Sequence, residues 1–303
     1  MRDMMQTDRR GLMAATLALG ASTAVPGLAH AGVRAPDPAF PPGFLWGAST
    51  AAHQVEGNNV NADLWVIENL PNTMFADRSG DAANSFELWP VDLDLVREMG
   101  LNCYRFSLEW ARIEPDQGHF STAMLDHYKA MIAGCRRGGL MPVVTFNHFT
   151  TPRWFAAQGG WHNPESVELF ARFCDRATRH LGSGIELALT LNEPNLAGVI
   201  GEILPAQLTA GDKAMQEAAA RQLGVARYAP GVALHVEDPS TYRAHMMEAH
   251  RRGVAAIKAV RPDLPVGVSL AMIDDQAVGR HSLRDRMRER YYGEWLSLAA
   301  ETC

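Results

Sequence analysis

Thr190-Leu191-Asn192-Glu193-Pro194-Asn195 places a glutamate at the end of an apolar run, held by the proline that follows it. A carboxylic acid presented at a barrel mouth in this way can protonate a leaving oxygen, as glycoside hydrolysis requires. Its acidity must be weakened by an apolar setting or a neighbouring carboxylate. Asn192 beside it can bond a sugar hydroxyl. The plain alternative is a strand-ending turn with an exposed glutamate. The position of the motif in a strand–helix series favours the acid.

Three further positions carry chemistry. In Tyr104-Arg105-Phe106-Ser107, strand alternation puts Tyr104 and Phe106 on one face and Arg105 on the other, pointing into a barrel. A buried guanidinium needs an anionic partner, so Arg105 pairs either with an active-site carboxylate that it keeps ionised or with a structural one. His148, in Asn147-His148-Phe149, can donate to a sugar hydroxyl, although a histidine beside aromatics is more often a satisfied core residue. Gln54 offers a donor and an acceptor side by side, which suits vicinal diols. Trp46, Trp110, Trp154 and Trp161 could stack on sugar rings, but tryptophans mostly fill cores, so only one or two of them are expected at a site.

These residues sit at the ends of short apolar segments expected as strands over 44–49, 102–107, 141–146, 186–191 and 265–271. Between them lie helical patterns. Pro90 opens one, with Val91, Leu95, Val96 and Met99 on its face and Gly100 as its stop. Ser121 caps another, in which Met124, Leu125, Tyr128, Met131, Ile132 and Cys135 recur at helical spacing. A third begins at Asn163-Pro164 and turns Phe170, Phe173, Cys174, Ala177 and Leu181 inward. A fourth covers about 240–260, and 281–300 is helical. Residues 58–81 read as a long loop, and 195–238 as helix and loops inserted after the fourth strand. Alternating strands and helices imply an α/β fold with a parallel sheet. Polar and aromatic residues gathered at the strand C-termini imply a (β/α)8 TIM barrel, where that end builds the site. A complete barrel takes ~250 residues, yet only about the first five βα units are visible in the sequence, so the barrel is read as incomplete over 32–303.

A net charge of −6 with scattered basic residues argues against nucleic acid or an anionic membrane as the partner. The cysteines Cys103, Cys135, Cys174 and Cys303 show no C-x-x-C or metal-ligand spacing and read as free thiols, with no metal and no cofactor implied. Residues 1–31 differ from the rest. Arg9-Arg10 precede a modest apolar run, and Ala29-His30-Ala31 offers a small-residue cleavage site. This is the pattern of a twin-arginine export signal, which places the mature chain in the periplasm or outside the cell. The apolar run, broken by Gly20, Ser22 and Thr23, falls short of the ~20 residues that span a bilayer, so no stable membrane association is expected.

The stretch from Phe40 to Gly57, which contains Phe44-Leu45-Trp46-Gly47-Ala48-Ser49 and His53-Gln54-Val55-Glu56-Gly57, resembles the N-terminal signature of glycoside hydrolase family 1. Tyr104-Arg105-Phe106-Ser107 with Trp110 and Arg112-Ile113 resembles that family's second-strand block. Pro142 to Phe149 and Gly159-Gly160-Trp161 resemble its third, and Thr190 to Pro194 its acid/base motif. The resemblance runs in order from about Phe40 to Ala271. It implies a retaining β-glycosidase of β-glucosidase type, acting on a small-molecule or oligosaccharide β-glycoside. By the same resemblance, Glu193 is the general acid/base and Asn192 binds the sugar 2-hydroxyl. Gln54 and His148 bind the glycone, and Arg105 neighbours the nucleophile.

The sequence also departs from the family. Phe149 stands where tryptophan is usual, and Thr150-Thr151-Pro152 replaces Asp-x-Pro, changes that could alter sugar preference. The family's nucleophile, a glutamate in an Ile-Thr-Glu-Asn-Gly-like motif, has no counterpart in the chain. Three expectations follow: an inactive fragment of a β-glycosidase, a short form that binds sugars without cleaving them, or the product of a truncated gene. Should the chain itself cleave, Glu56 or Asp274 would be the substitute nucleophile to test.

Overall fold

The computed structural model of the protein describes residues 40–197, 204–272 and 292–302. The expected export signal at 1–31, Asp274 and Cys303 lie outside the described residues. β1 (Gly47–Ser49) is followed by α1 (Ala52–Val55), α2 (Asp63–Glu68) and α3 (Ser85–Glu98). Next come β2 (Cys103–Ser107), α4 (Trp110–Ile113), α5 (Thr122–Arg137), β3 (Met141–Asn147), α6 (Arg153–Ala157) and α7 (Ser166–Leu181). β4 (Leu187–Asn192), α8 (Ala206–Leu223), α9 (Pro239–Val260), β5 (Val266–Ser269) and α10 (Glu294–Thr302) complete the order.

The strands form one parallel sheet in the order β1-β2-β3-β4-β5, the topology of the first five strands of a (β/α)8 barrel. The register aligns Ser107 with Thr145 and Thr145 with Leu189, so the C-terminal ends of β2, β3 and β4 lie side by side. β4 and β5 pair irregularly between Leu189 and Asn192, immediately before Glu193. Such irregularities re-aim a side chain and are common beside active sites.

The core lies between the sheet and its helices. Tyr104, Phe106, Val144 and Phe146 meet Leu125, Tyr128, Ile132 and Cys135 from α5 and Phe170, Phe173, Cys174 and Ala177 from α7. Ser121 caps α5 by accepting from the Met124 amide at 3.3 Å. Asp238 caps α9, whose His250, Val254 and Ile257 are buried.

Several local expectations need correction. β1 begins at Gly47 rather than at residue 44, because the Asn102 side chain takes the place of a ladder partner. It accepts from the Trp46 amide at 2.7 Å and donates to the Phe44 carbonyl at 2.9 Å. Pro90 lies inside α3, which starts at Ser85 after a left-handed Asn84. The inward face of α3 is Trp89, Leu93 and Val96, while Val91, Leu95 and Met99 are exposed. Residues 58–81 contain α2 rather than loop alone, and α7 starts at Ser166, two residues beyond Pro164.

Candidate active site

The C-terminal ends of β2, β3 and β4 bring four of the expected residues together. Arg105 projects from the face of β2 opposite to Tyr104 and Phe106, which are in the core. Its Nε donates to Thr145 Oγ1 on β3 at 2.9 Å, and its Nη2 donates to Asn192 Oδ1 on β4 at 2.5 Å. No carboxylate of the described residues lies within ion-pair distance of Arg105, so its anchors are a neutral hydroxyl and a neutral amide. Burial pulls its pKa down, and the charge of Glu193 opposes that shift.

Glu193 follows Asn192 at the end of β4 and is half-buried. Its amide donates to the Ser269 carbonyl at 2.6 Å, and its φ is +49°, a left-handed value uncommon for a residue with a side chain. Strained backbone of this kind persists only where the surroundings over-determine it, and it clusters at active sites. Desolvation raises the carboxyl pKa above its ordinary value, and Arg105 pulls it back. A carboxyl that holds its proton more tightly than usual beside a cation can act as a general acid and then, ionised, as a base.

His148 directly follows β3 and is half-buried. Burial, and then the charge of Arg105, push its pKa down to about 4, so the ring is neutral near neutrality. Asn192, 5% exposed, has its side-chain oxygen committed to Arg105, which leaves its amide nitrogen to donate. Gln54 stands apart. It is exposed on α1, and its side chain makes no hydrogen bond among the described residues. The strand before it, β1, ends beside Arg105, whose carbonyl accepts from the Thr50 amide at 2.9 Å.

The tryptophans do not reach the site. Trp110 and Trp161 are buried in the core, and Trp154 packs against it with its indole donating to the Glu114 carbonyl. Trp46 precedes β1 at the opposite end of the strand, against Phe40 and Phe44. Glu56, considered as a substitute nucleophile, is buried and occupied by Arg112 at 2.7 Å and Tyr128 at 2.9 Å. Thr145 was missed by sequence reasoning. Alternation could have found it, since it shares the inward face of β3 opposite to Val144 and Phe146.

Residues 37–296 match the family model described as "Glycosyl hydrolase family 1". The chain belongs to glycosyl hydrolase family 1. It is 32% identical over 239 residues to a "Beta-glucosidase" of Agrobacterium sp., covering 76% of this chain and 47% of the relative. It is 35% identical over 172 residues to the "Cytosolic beta-glucosidase" of Homo sapiens, covering 54% of this chain and 36% of that protein. Among solved structures, "beta-glycosidase BGL167" superposes with a TM-score of 0.80 at 43% identity, covering 87% of this chain and 64% of that one. The chain thus spans about half the length of the curated Agrobacterium relative. Within this family 1 chain, Arg105, His148, Asn192 and Glu193 gather at the C-terminal ends of three adjacent strands, with Arg105 bonded to Asn192 and its charge felt by His148 and Glu193.

Proposed function

We propose that this chain carries the acid/base side of a retaining β-glycosidase site of β-glucosidase type. The observation that carries the reading is Glu193: half-buried just past the end of β4 and weakened as an acid by desolvation, against the opposing charge of Arg105. In the first step the Glu193 carboxyl protonates the glycosidic oxygen as a carboxylate nucleophile attacks the anomeric carbon and the aglycone leaves as an alcohol. In the second step the Glu193 carboxylate takes a proton from water as that water displaces the nucleophile. Asn192 donates its amide to the sugar 2-hydroxyl, with Arg105 fixing its orientation. His148 and Gln54 bond the glycone hydroxyls.

An Ile-Thr-Glu-Asn-Gly-like motif does not occur in these 303 residues. That supports a second reading for the chain by itself, namely binding of a β-glycoside without turnover. The two separate in one assay. The chain is offered an aryl β-glucoside and followed both for release of the aryl alcohol and for binding by ligand-observed NMR. Binding that His148→Ala and Asn192→Ala weaken, with no release, supports the proposal, whereas Glu193-dependent release by the chain itself contradicts the missing nucleophile. We also read residues 1–31 as a twin-arginine signal that delivers the folded chain across the membrane, supported by Arg9-Arg10 and Ala29-His30-Ala31.

A further inference from the structure

The segment that carries His148 is gripped from behind by two buried carboxyl groups that the acid/base reading does not use. Immediately after His148, Phe149 has φ +69°. The Thr150 amide donates to the His148 carbonyl at 2.8 Å, closing a three-residue turn around Phe149. A tight turn with positive φ at its centre is rare and strained, more so for an aromatic residue. Something must hold it.

Asn147 Nδ2 donates to the Thr150 carbonyl at 2.7 Å, bracing the turn from inside. Thr150 Oγ1 donates to Glu109 Oε2 at 2.9 Å, while Glu109 Oε1 accepts from the Ala111 amide at 3.1 Å. The carboxyl therefore ties the turn to the start of α4. One residue on, Thr151 Oγ1 donates to Asp63 Oδ2 at 2.7 Å, and the Asp63 amide donates to the Thr151 carbonyl at 2.9 Å. Asp63 Oδ2 also accepts from the Gly231 amide at 2.6 Å, which ties the same segment to α2 and to the turn at Gly231. Both carboxyl residues and both threonines are buried, with Asp63 and Thr151 fully so. The hydroxyls of Thr150 and Thr151 are thus both committed to buried carboxyl groups.

We propose that Glu109 and Asp63 are positioning residues for His148, holding Thr150 and Thr151 so that the strained turn presents the imidazole to the sugar. The proposal rests on the reading of His148 as a glycone-binding residue. It gives the Thr150-Thr151-Pro152 departure a different meaning: these side chains act on sugar binding through the placement of His148, not by touching the sugar.

The test uses the 303-residue chain and the rate at which diethyl pyrocarbonate modifies His148, read on its peptide by mass spectrometry. Exposed His119 serves as the internal reference. Thr150→Val keeps the side-chain shape and removes the donor, and Glu109→Ala removes the acceptor. Both should speed modification of His148 at least about fivefold, the weight of one buried hydrogen bond. Glu109→Gln, whose amide can still bond both Thr150 and Ala111, should keep the wild-type rate. Ser121→Ala, which loosens α5 without touching the turn, should leave His148 unchanged. The proposal is overturned if Thr150→Val leaves the rate within about twofold of wild type, or if Ser121→Ala raises it as much. Glucoside binding measured on the same proteins separates the two claims. If His148→Ala binds as well as wild type, the glycone reading falls, while the modification rates still decide the clasp.

Discussion

The Arg105 guanidinium reaches across β3 to the Asn192 side chain, donating to Thr145 on the way and to Asn192 Oδ1 at 2.5 Å. An arginine of β2 thereby orients the amide that precedes the proposed acid on β4. Its charge also opposes the desolvation that raises the pKa of Glu193.

That opposition has a measurable sign. Arg105→Met removes the cation that favours the ionised carboxyl, so the Glu193 pKa should rise further. Carbon NMR titration of the Glu193 carboxyl, assigned by the signal lost in Glu193→Gln, reads it directly. An unchanged or lower pKa in Arg105→Met would remove the electrostatic link.

Glu109 predicts a stability slope. Burial pushes its pKa up to about 8, Glu56 adds to the shift, and Arg112 and the bonds from Ala111 and Thr150 oppose it. Between the unfolded value of 4.5 and about 8, the folded chain holds a proton that the unfolded chain has lost. Stability from this group is therefore full below the unfolded pKa, falls as pH rises through that window, and levels off above it. One proton corresponds to a slope of at most about 1.4 kcal/mol per pH unit. Glu56, Asp63 and Glu114 also have raised pKa values and slope the same way, so the informative quantity is wild type minus Glu109→Gln in urea melts. That difference should turn against wild type as pH rises from 5 to 8; a difference independent of pH would refute the assignment.

Gly231→Ala should disturb the His148 segment. An added Cβ would stand 2.1 Å from the Phe149 carbonyl oxygen and 2.7 Å from Thr151 Cγ2. Neither backbone nor a buried threonine can yield cheaply, so the substitution should cost ~1–3 kcal/mol in a denaturant melt, with faster modification of His148. Wild-type stability in this variant would mean that the segment is not held there.

Export is tested by Arg9→Lys together with Arg10→Lys. The double variant should accumulate unprocessed inside the cell, and the wild type should do the same in a strain lacking the twin-arginine machinery. Normal processing in either case argues for another route or none.

Much of this arrangement is local in sequence and was legible there. Alternation in Tyr104-Arg105-Phe106 separates the core face from the site face, and Asn-Glu-Pro marks the end of β4. Ser121 caps the helix that its side-chain pattern announces. The long-range parts were not legible. That Thr150 meets Glu109, and Thr151 meets Asp63, depends on how loops after three strands fold over one another, and no period encodes it. Pro90 misled because a proline inside a helix and one at its start share the same apolar surroundings. The tryptophans misled because Trp110 follows the end of β2 as a site residue does, yet it turns back with Trp161 to fill the space among Phe155, Phe170 and Phe173.

The central claim, that Glu193 is the acid/base, is tested most directly by Glu193→Ala in a chain that carries these residues together with the nucleophile strand of a family 1 enzyme. Hydrolysis of phenyl β-glucoside, a poor leaving group, should fall much further than that of dinitrophenyl β-glucoside, whose departure needs little protonation. The gap between the two should be ~10²–10⁴-fold, the range of general acid catalysis. Azide should restore turnover of the activated substrate in the variant by attacking the glycosyl-enzyme without help from a base. Equal losses on the two substrates, with no rescue by azide, would contradict the account.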